Sequence, residues 1–297
     1  MTKLNFAIVG TQKAGSTFIH RNLREHPSVF MPSGEVPYFE DPDFGGENSL
    51  ESYFPKNCGK ILGIKRPNYF EKKEVPERLI KNNPNIKVII FLRNPTERAI
   101  SGYYHGMKMG FLPISDINVN LLKIVNGDED FLNSYPYGRE LINHGYYSVH
   151  LKNYLKYFNR HNIYVGFVED IKLNPLLTIQ NLYRFLKISD NFIPSFLQER
   201  PMASIYSPTR LKFRQFIASS TNTYSSNGLR IHKKNGIVYY IFRITLLAFD
   251  RLILSYIFHG KKSKISNILK KNLIINYKAD MEELEQILNK DLTNWYK

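Results

Sequence analysis

Two groups of residues in this chain have the types and the spacing to hold a doubly anionic ligand. The first is Gly10-Thr11-Gln12-Lys13-Ala14-Gly15-Ser16-Thr17, directly after the apolar run Leu4–Val9. An apolar run, a glycine-bounded polar loop and an amphipathic run read as strand, tight turn and helix N-terminus. Amides at such a turn point into one concavity, and the helix dipole adds positive potential there. The natural occupant is a phosphate. The second group is Arg93, at the end of the apolar run Val88-Ile89-Ile90-Phe91-Leu92, with Ser101 eight residues further on. A strand end and a helix turn between them let the two converge on one anion, and a guanidinium fork suits a terminal phosphate.

Comparison with a nucleotide P-loop narrows the ligand. That motif runs Gly, four residues, Gly, Lys, then Ser or Thr. Gly10 and Gly15 keep the spacing, but Ser16-Thr17 stand where Lys-Thr belongs, and the lysine lies inside the loop as Lys13. A nucleotide triphosphatase also places a metal-supporting aspartate at a strand end. Here that place holds Arg93. A cation there argues against a metal site and for a second anionic group, so no metal is expected.

Both segments resemble those of the sulfotransferases that use 3′-phosphoadenosine-5′-phosphosulfate (PAPS). The stretch Gly10–Thr17 is similar to that family's loop for the 5′-phosphosulfate. Leu92-Arg93-Asn94-Pro95-Thr96-Glu97-Arg98-Ala99-Ile100-Ser101 is similar to its 3′-phosphate segment. Gly34-Glu35-Val36-Pro37-Tyr38-Phe39 resembles a substrate-side segment of the heparan sulfate branch, and the likeness extends through Gly145-Tyr146-Tyr147 and Phe167-Val168-Glu169-Asp170. It covers residues 4–190 and implies PAPS as donor, 3′-phosphoadenosine-5′-phosphate as product, and a P-loop-type three-layer α/β sandwich.

The resemblance distributes roles. Lys13 would neutralise the phosphosulfate and stabilise charge on the bridging oxygen as the S–O bond breaks. Gly10, Thr11, Gln12, Ala14, Gly15, Ser16 and Thr17 would line the 5′ group; ordinary N-capping by Ser16 or Thr17 is compatible with that role. Arg93 and Ser101 would hold the 3′-phosphate, although pairing of Arg93 with Glu97 is the competing reading. Glu35 is the expected base, since the acceptor must lose a proton as it attacks sulfur. Burial would raise its pKa and nearby lysines would lower it, and the sequence leaves the sum open. The family's cytosolic branch uses a histidine beside the strand that ends here at Lys65, yet the run reads Ile64-Lys65-Arg66-Pro67, which favours Glu35. Lys65 resembles a lysine that contacts substrate or sulfate in the glycan-modifying branch. Pro37 departs from a histidine common in the animal glycan enzymes, so their acceptor contacts are not carried over. Tyr38, Phe39, Tyr103, Tyr104 and His105 are candidate acceptor walls, against the plainer reading of aromatics in a core. Arg200, Arg210 and Arg214 are candidates for a late phosphate contact.

The rest of the chain must position these groups. Strands are expected at Leu4–Val9, Ser28–Met31, Lys60–Lys65, Lys87–Leu92 and Ile163–Val168. Helices are expected at Ser16–Glu25, Val75–Asn82, Pro95–Lys108, within Gly145–Phe158, and at Pro175–Leu186. Alternation of this kind makes a parallel sheet with helices on both faces, whose ligands lie beyond the strands' carboxyl ends. Gly10, Lys65 and Arg93 all follow strands at that edge. Gly110–Pro136 reads as a long connection with a short helix at Val119–Val125, Ser219–Thr223 and Ser225–Gly228 as a flexible loop, and Met281–Leu288 as a terminal helix.

The 297 residues fit one domain: an α/β core over 1–204, a basic helical lid or cap over 205–275, and a terminal helix over 276–297. Cys58 is the sole cysteine, so no intramolecular disulfide forms. Met1 leads straight into the first strand without the apolar segment of a signal peptide, so a cytoplasmic enzyme is expected. The formal net charge is +15, of which +12 lies between Ile205 and Ile275, where thirteen Lys and Arg face one acid, Asp250. That patch could steer an anionic acceptor or meet an acidic surface, or be a solvated basic face. No nucleic-acid motif accompanies it, and no nucleic-acid partner is expected. Ile237–Phe258 is mostly apolar but interrupted by Arg243, Asp250 and Arg251, which suits an interfacial or lid helix better than a span, with peripheral membrane contact through 230–275. The expected function is sulfuryl transfer to a hydroxyl, or less readily an amine, of a small natural product or carbohydrate. The rivals are a P-loop kinase and a non-catalytic basic docking protein.

Overall fold

The computed structural model describes residues 2–45, 49–56, 59–198, 205–224, 231–234 and 236–296. In chain order the elements begin β1 (Phe6–Gly10), α1 (Ser16–Glu25), β2 (Val29–Phe30), β3 (Ile61–Lys65), α2 (Val75–Asn82) and β4 (Lys87–Leu92). Next come α3 (Pro95–Met109), α4 (Ile117–Val125), α5 (Glu129–Ser134), α6 (Tyr137–Asn143), α7 (Tyr147–Leu155), β5 (Ile163–Phe167), α8 (Val168–Leu173) and α9 (Pro175–Leu186). The last are α10 (Pro208–Thr221), the antiparallel pair β6 (Asn222–Tyr224) and β7 (Ile231–Lys233), α11 (Ile237–Phe249), α12 (Ser255–Ile257) and α13 (Asn267–Leu288). A π-helical stretch, Asp250–Leu254, joins α11 to α12.

The chain forms two compact units interleaved along the sequence, one of residues 1–94, 146–201 and 283–289 and one of the remainder. The first holds a five-stranded sheet of order β2-β3-β1-β4-β5, parallel throughout. β1 is buried at every position, as a strand covered on both faces must be. Phe6 and Ile8 of β1 join Ile89 and Phe91 of β4 on one face, under Phe18, Ile19 and Leu23 of α1 and Ile179, Leu182 and Tyr183 of α9. Alternation sends Ala7, Val9 and Ile90 to the opposite face. Phe70, in the turn after β3, crowds Gly10: a Cβ there would come within 2.6 Å of Phe70 Cβ. The Phe70 ring in turn packs on Tyr154 of α7 at 5.8 Å. These are the expected α/β class and central parallel sheet. From β1 the chain leaves toward β2 and β3, and from β4 toward β5, so the carboxyl ends of β1 and β4 flank the point where the winding reverses.

In the second unit, α3 carries Arg98, fully buried, which donates to Leu141 O and, at 3.4 Å, to Tyr277 Oη. Leu269, Leu273, Tyr277 and Met281 of α13 are all buried, a stripe at helical spacing. The terminal helix expected from Met281 therefore starts at Asn267, and the boundary drawn at 275/276 falls inside it. Gly110–Pro136 holds two helices, each N-capped by an aspartate: Asp116 accepts from Asn118 N–H at 2.8 Å and Asp128 from Phe131 N–H at 3.0 Å. Ser219–Thr221, expected as loop, is the last turn of α10. Thr221 Oγ1 bonds back to Ile217 O at 2.7 Å and Asn222 Nδ2 to Ala218 O at 2.6 Å, so these polar side chains end a helix rather than build a loop. Ser225–Gly228 lies outside the described residues. Among the described residues no helix is long and apolar enough to cross a membrane.

Candidate active site

The loop after β1 is fastened to its neighbour before it turns. Thr11 N–H donates to Phe91 O at 2.8 Å, and Ala14 N–H to Thr11 O at 3.2 Å. Lys13 and Gly15 both take left-handed backbone angles, φ 68° and 83°. Gly15 suits this place twice over, since a Cβ would meet Ile171 Cδ1 at 3.0 Å as well as strain the backbone. Ile19 N–H to Gly15 O, at 3.2 Å, is the first rung of α1, so the amides of Ser16, Thr17 and Phe18 precede the helical ladder. Thr11 and Ser16 are buried, Gln12 and Lys13 half-buried, and Thr17 exposed.

Arg93 closes over this loop from the end of β4. Its Nη1 donates to Lys13 O at 3.4 Å, and Tyr147 Oη donates to Arg93 O at 2.8 Å. Burial, and after it the charge of Arg93, holds the Lys13 pKa below the ordinary lysine value. Lys13 has no carboxylate partner among the described residues. Two cations pressed together at the switch of winding, over free helix amides, make an environment that an anion would relieve.

A second cluster lies along the end of β3. Val36 N–H donates to Lys65 O at 3.1 Å, laying the Glu35 segment across the strand end. Tyr69 fixes the segment twice, donating from Oη to Val36 O at 2.5 Å and accepting from Phe39 N–H at 2.9 Å. Glu35 then meets Lys65 Nζ at 3.3 Å through Oε1 and Arg66 Nη1 at 2.9 Å through Oε2. Arg66 also grips the buried carboxylate of Glu40 through Nη2. Burial pulls the Arg66 pKa down, but Glu40 and then Glu35 outweigh it and carry the value above that of free arginine. The Lys65 side chain is nearly buried, at 9%, while Glu35 keeps 38% of its surface open. The site thus offers a reachable carboxylate held by two cations.

Sequence reasoning assigned no role to Arg66, Glu40 or His20. His20, on α1, is buried and donates from Nε2 to Pro32 O at 2.8 Å, bracing the turn that precedes Glu35. Burial, then the charge of Lys65, pushes its pKa down to about 4. Arg66 could have been noticed as a second cation at the strand end, whereas nothing in the sequence links it to Glu40.

The remaining expected residues are placed as follows. Phe39 is buried, edge-on to Tyr69 at 6.2 Å, so it supports the Glu35 segment rather than facing an acceptor; Tyr38 beside it is half-buried. In the second unit Ser101 and His105 are half-buried on α3. Tyr103 is fully buried, and Tyr104 is buried with its ring against Tyr206 at 4.8 Å and its Oη accepting from Ser263 N–H at 3.2 Å. Both tyrosines therefore sit in packing rather than on an acceptor wall. Arg210 is engaged elsewhere than at a phosphate: its Nε and Nη2 fork onto buried Asp250 at 2.9 and 3.0 Å. Arg214 approaches the same carboxylate at 3.6 Å. Arg200 lies outside the described residues. Among the described residues no group of three or more His, Cys, Asp or Glu is arranged to hold a metal ion.

Residues 4–236 match the family model described as "Sulfotransferase domain". The chain is 31% identical over 199 residues to the Homo sapiens bifunctional heparan sulfate N-deacetylase/N-sulfotransferase 2, covering 62% of this chain and 22% of that protein. It is 29% identical over 185 residues to the Homo sapiens heparan sulfate glucosamine 3-O-sulfotransferase 5, covering 61% of this chain and 52% of that one. The match thus spans between about a fifth and about half of the length of these curated relatives. In fold the chain is similar to a crystal structure of a sulfotransferase from Alicyclobacillus acidocaldarius, with a TM-score of 0.69 at 20% identity over the whole of both chains.

Proposed function

Because the chain belongs to the sulfotransferase domain family, we propose that it transfers a sulfuryl group from PAPS to an acceptor hydroxyl. The observation that carries this reading is the nearness of Lys13 and Arg93 at the ends of β1 and β4, with the Glu35–Lys65 pair at the end of β3, the other sheet neighbour of β1. PAPS carries its activated sulfuryl group at the end of a 5′-phosphate, with a separate 3′-phosphate, which answers the need of that cationic loop for an anion.

Lys13 and the amides of Ser16, Thr17 and Phe18 hold the phosphosulfate, and Lys13 stabilises the charge that collects on the bridging oxygen. Arg93 is assigned the 3′-phosphate. Glu35 takes the proton of the acceptor hydroxyl as that oxygen bonds to sulfur. Lys65, 3.3 Å from Glu35, holds this carboxylate in place. Arg66 fixes its second oxygen.

The acceptor proposed is a small natural product or a carbohydrate. The names of the relatives favour an amino sugar among the carbohydrates, with N-transfer as the second reading. Calorimetry tests the donor: 3′-phosphoadenosine-5′-phosphate should bind with or without EDTA, and far more tightly than adenosine diphosphate. Indifference to that product, or equal affinity for adenosine diphosphate, would overturn the reading, and Mg²⁺-dependent ATP binding would favour a kinase. A screen of hydroxyl and amine acceptors with labelled PAPS then identifies the substrate.

A further inference from the structure

The segment α11–α12 meets protein along a mixed polar and apolar line and turns a further apolar stripe to solvent. Its less exposed line carries Arg243, Leu246, Leu247, Asp250 and Leu254. Asp250 is buried against Arg210 and Arg214 of α10, and Phe249 packs on Phe213 at 5.8 Å. Its outward face carries Ile237, Val238, Ile241, Ile244 and Leu252, between 48 and 73% exposed, and α11 has no buried residue besides. In an ordinary surface helix the apolar stripe faces the core and the opposite face is polar, whereas this one is apolar toward solvent as well.

We propose that α11–α12 lies in the interface of an anionic phospholipid bilayer, with the outward stripe among the acyl chains. Three observations select this occupant. The segment Ile237–Ile257 is helical for about 30 Å and anchored along its side to α10, which sets it in the plane of a surface rather than through it. Tyr239 and Tyr240 stand near one end and Tyr256 near the other, all exposed, where amphipathic rings meet headgroups. The surrounding charge is of one sign: Arg251, Lys261 and Lys264 are exposed, Lys234 precedes the helix, and the lone acid of 205–275 is turned inward. A second copy of the chain would bring two such basic rims together and be repelled, whereas anionic headgroups attract them.

The test uses the full chain and sedimentation with vesicles of 70% phosphatidylcholine and 30% phosphatidylglycerol, in comparison with phosphatidylcholine alone. The expected result is binding to the anionic vesicles that weakens with salt and falls at least tenfold in the double variant Ile241→Asp/Leu252→Asp. Since both side chains face solvent, that variant should melt as the parent does. Charge reversal by Lys261→Glu and Lys264→Glu should lower affinity for the anionic vesicles and leave the weak binding to neutral ones. Absence of binding to anionic vesicles would overturn the proposal, as would binding that the double aspartate variant retains. So would a dimer in sedimentation equilibrium that the same variant abolishes. The readout needs no turnover, so its failure leaves the sulfuryl-transfer reading standing.

Discussion

Lys65 Nζ stands 3.3 Å from Glu35 Oε1, although thirty positions separate the two residues in the chain. The contact is delivered by backbone, since Val36 N–H bonds to Lys65 O. Glu35→Gln keeps the shape and removes the base. Turnover should fall by about 10²–10⁴-fold, the usual worth of a positioned general base. Affinity for 3′-phosphoadenosine-5′-phosphate, measured by calorimetry, should stay within about threefold, because the loop of Lys13 is untouched. Retained turnover would remove Glu35 from the mechanism.

Arg66 answers two carboxylates, and one of them, Glu40, is buried. Arg66→Met should destabilise the fold by about 3 kcal/mol by leaving that charge unpaired. Adding Glu40→Gln should restore much of the loss, a coupling that thermal melts of the double-mutant cycle will show. The double variant should remain slower than the parent in kcat, since Glu35 has lost its second tether.

Burial, and after it the nearness of Arg93, opposes the charge on Lys13. A bound phosphate favours the charged form, so binding should be accompanied by proton uptake above the lowered pKa of Lys13, and affinity should weaken as pH rises through it. Calorimetry in two buffers of different ionisation enthalpy counts the proton. Lys13→Ala should lose both the uptake and most of the affinity. An unchanged affinity would detach this loop from the donor.

His20 is held neutral, its pKa down at about 4 in the fold. The unfolded chain, with histidine near 6.5, binds the additional proton between those values, so stability should fall as pH drops from about 6.5 toward 4. Roughly 3 kcal/mol is the most this group contributes. Urea titrations of the parent and His20→Gln over that range should converge as the medium becomes acidic.

The turn after β1 and the sheet were legible because they rest on local signals: apolar runs of strand length, each ended by Gly10, Lys65 or Arg93. The Glu35–Lys65 pair was legible only as two separate motif residues. What escaped was non-local or masked by polarity. Glu40 meets Arg66 across twenty-six positions, and no spacing rule reports a contact set by how a loop folds back. The first half of α13 was passed over because Asn and Lys crowd it, although Leu269, Leu273 and Tyr277 already trace a helical face. At the end of α10, serine and threonine suggested a loop, and their back-bonding to helix carbonyls defeated the rule. Tyr103 and Tyr104 show the commoner fate of aromatics at helical spacing, which is packing.

Tyr69 ties down the Val36–Phe39 strip from the same turn that follows Lys65, and its own carbonyl is capped by Tyr154 Oη at 2.9 Å. Glu35 and its partner Lys65 therefore ride on a common mount. Changes in the neighbouring surface loops can therefore leave the spacing of these two side chains as it is.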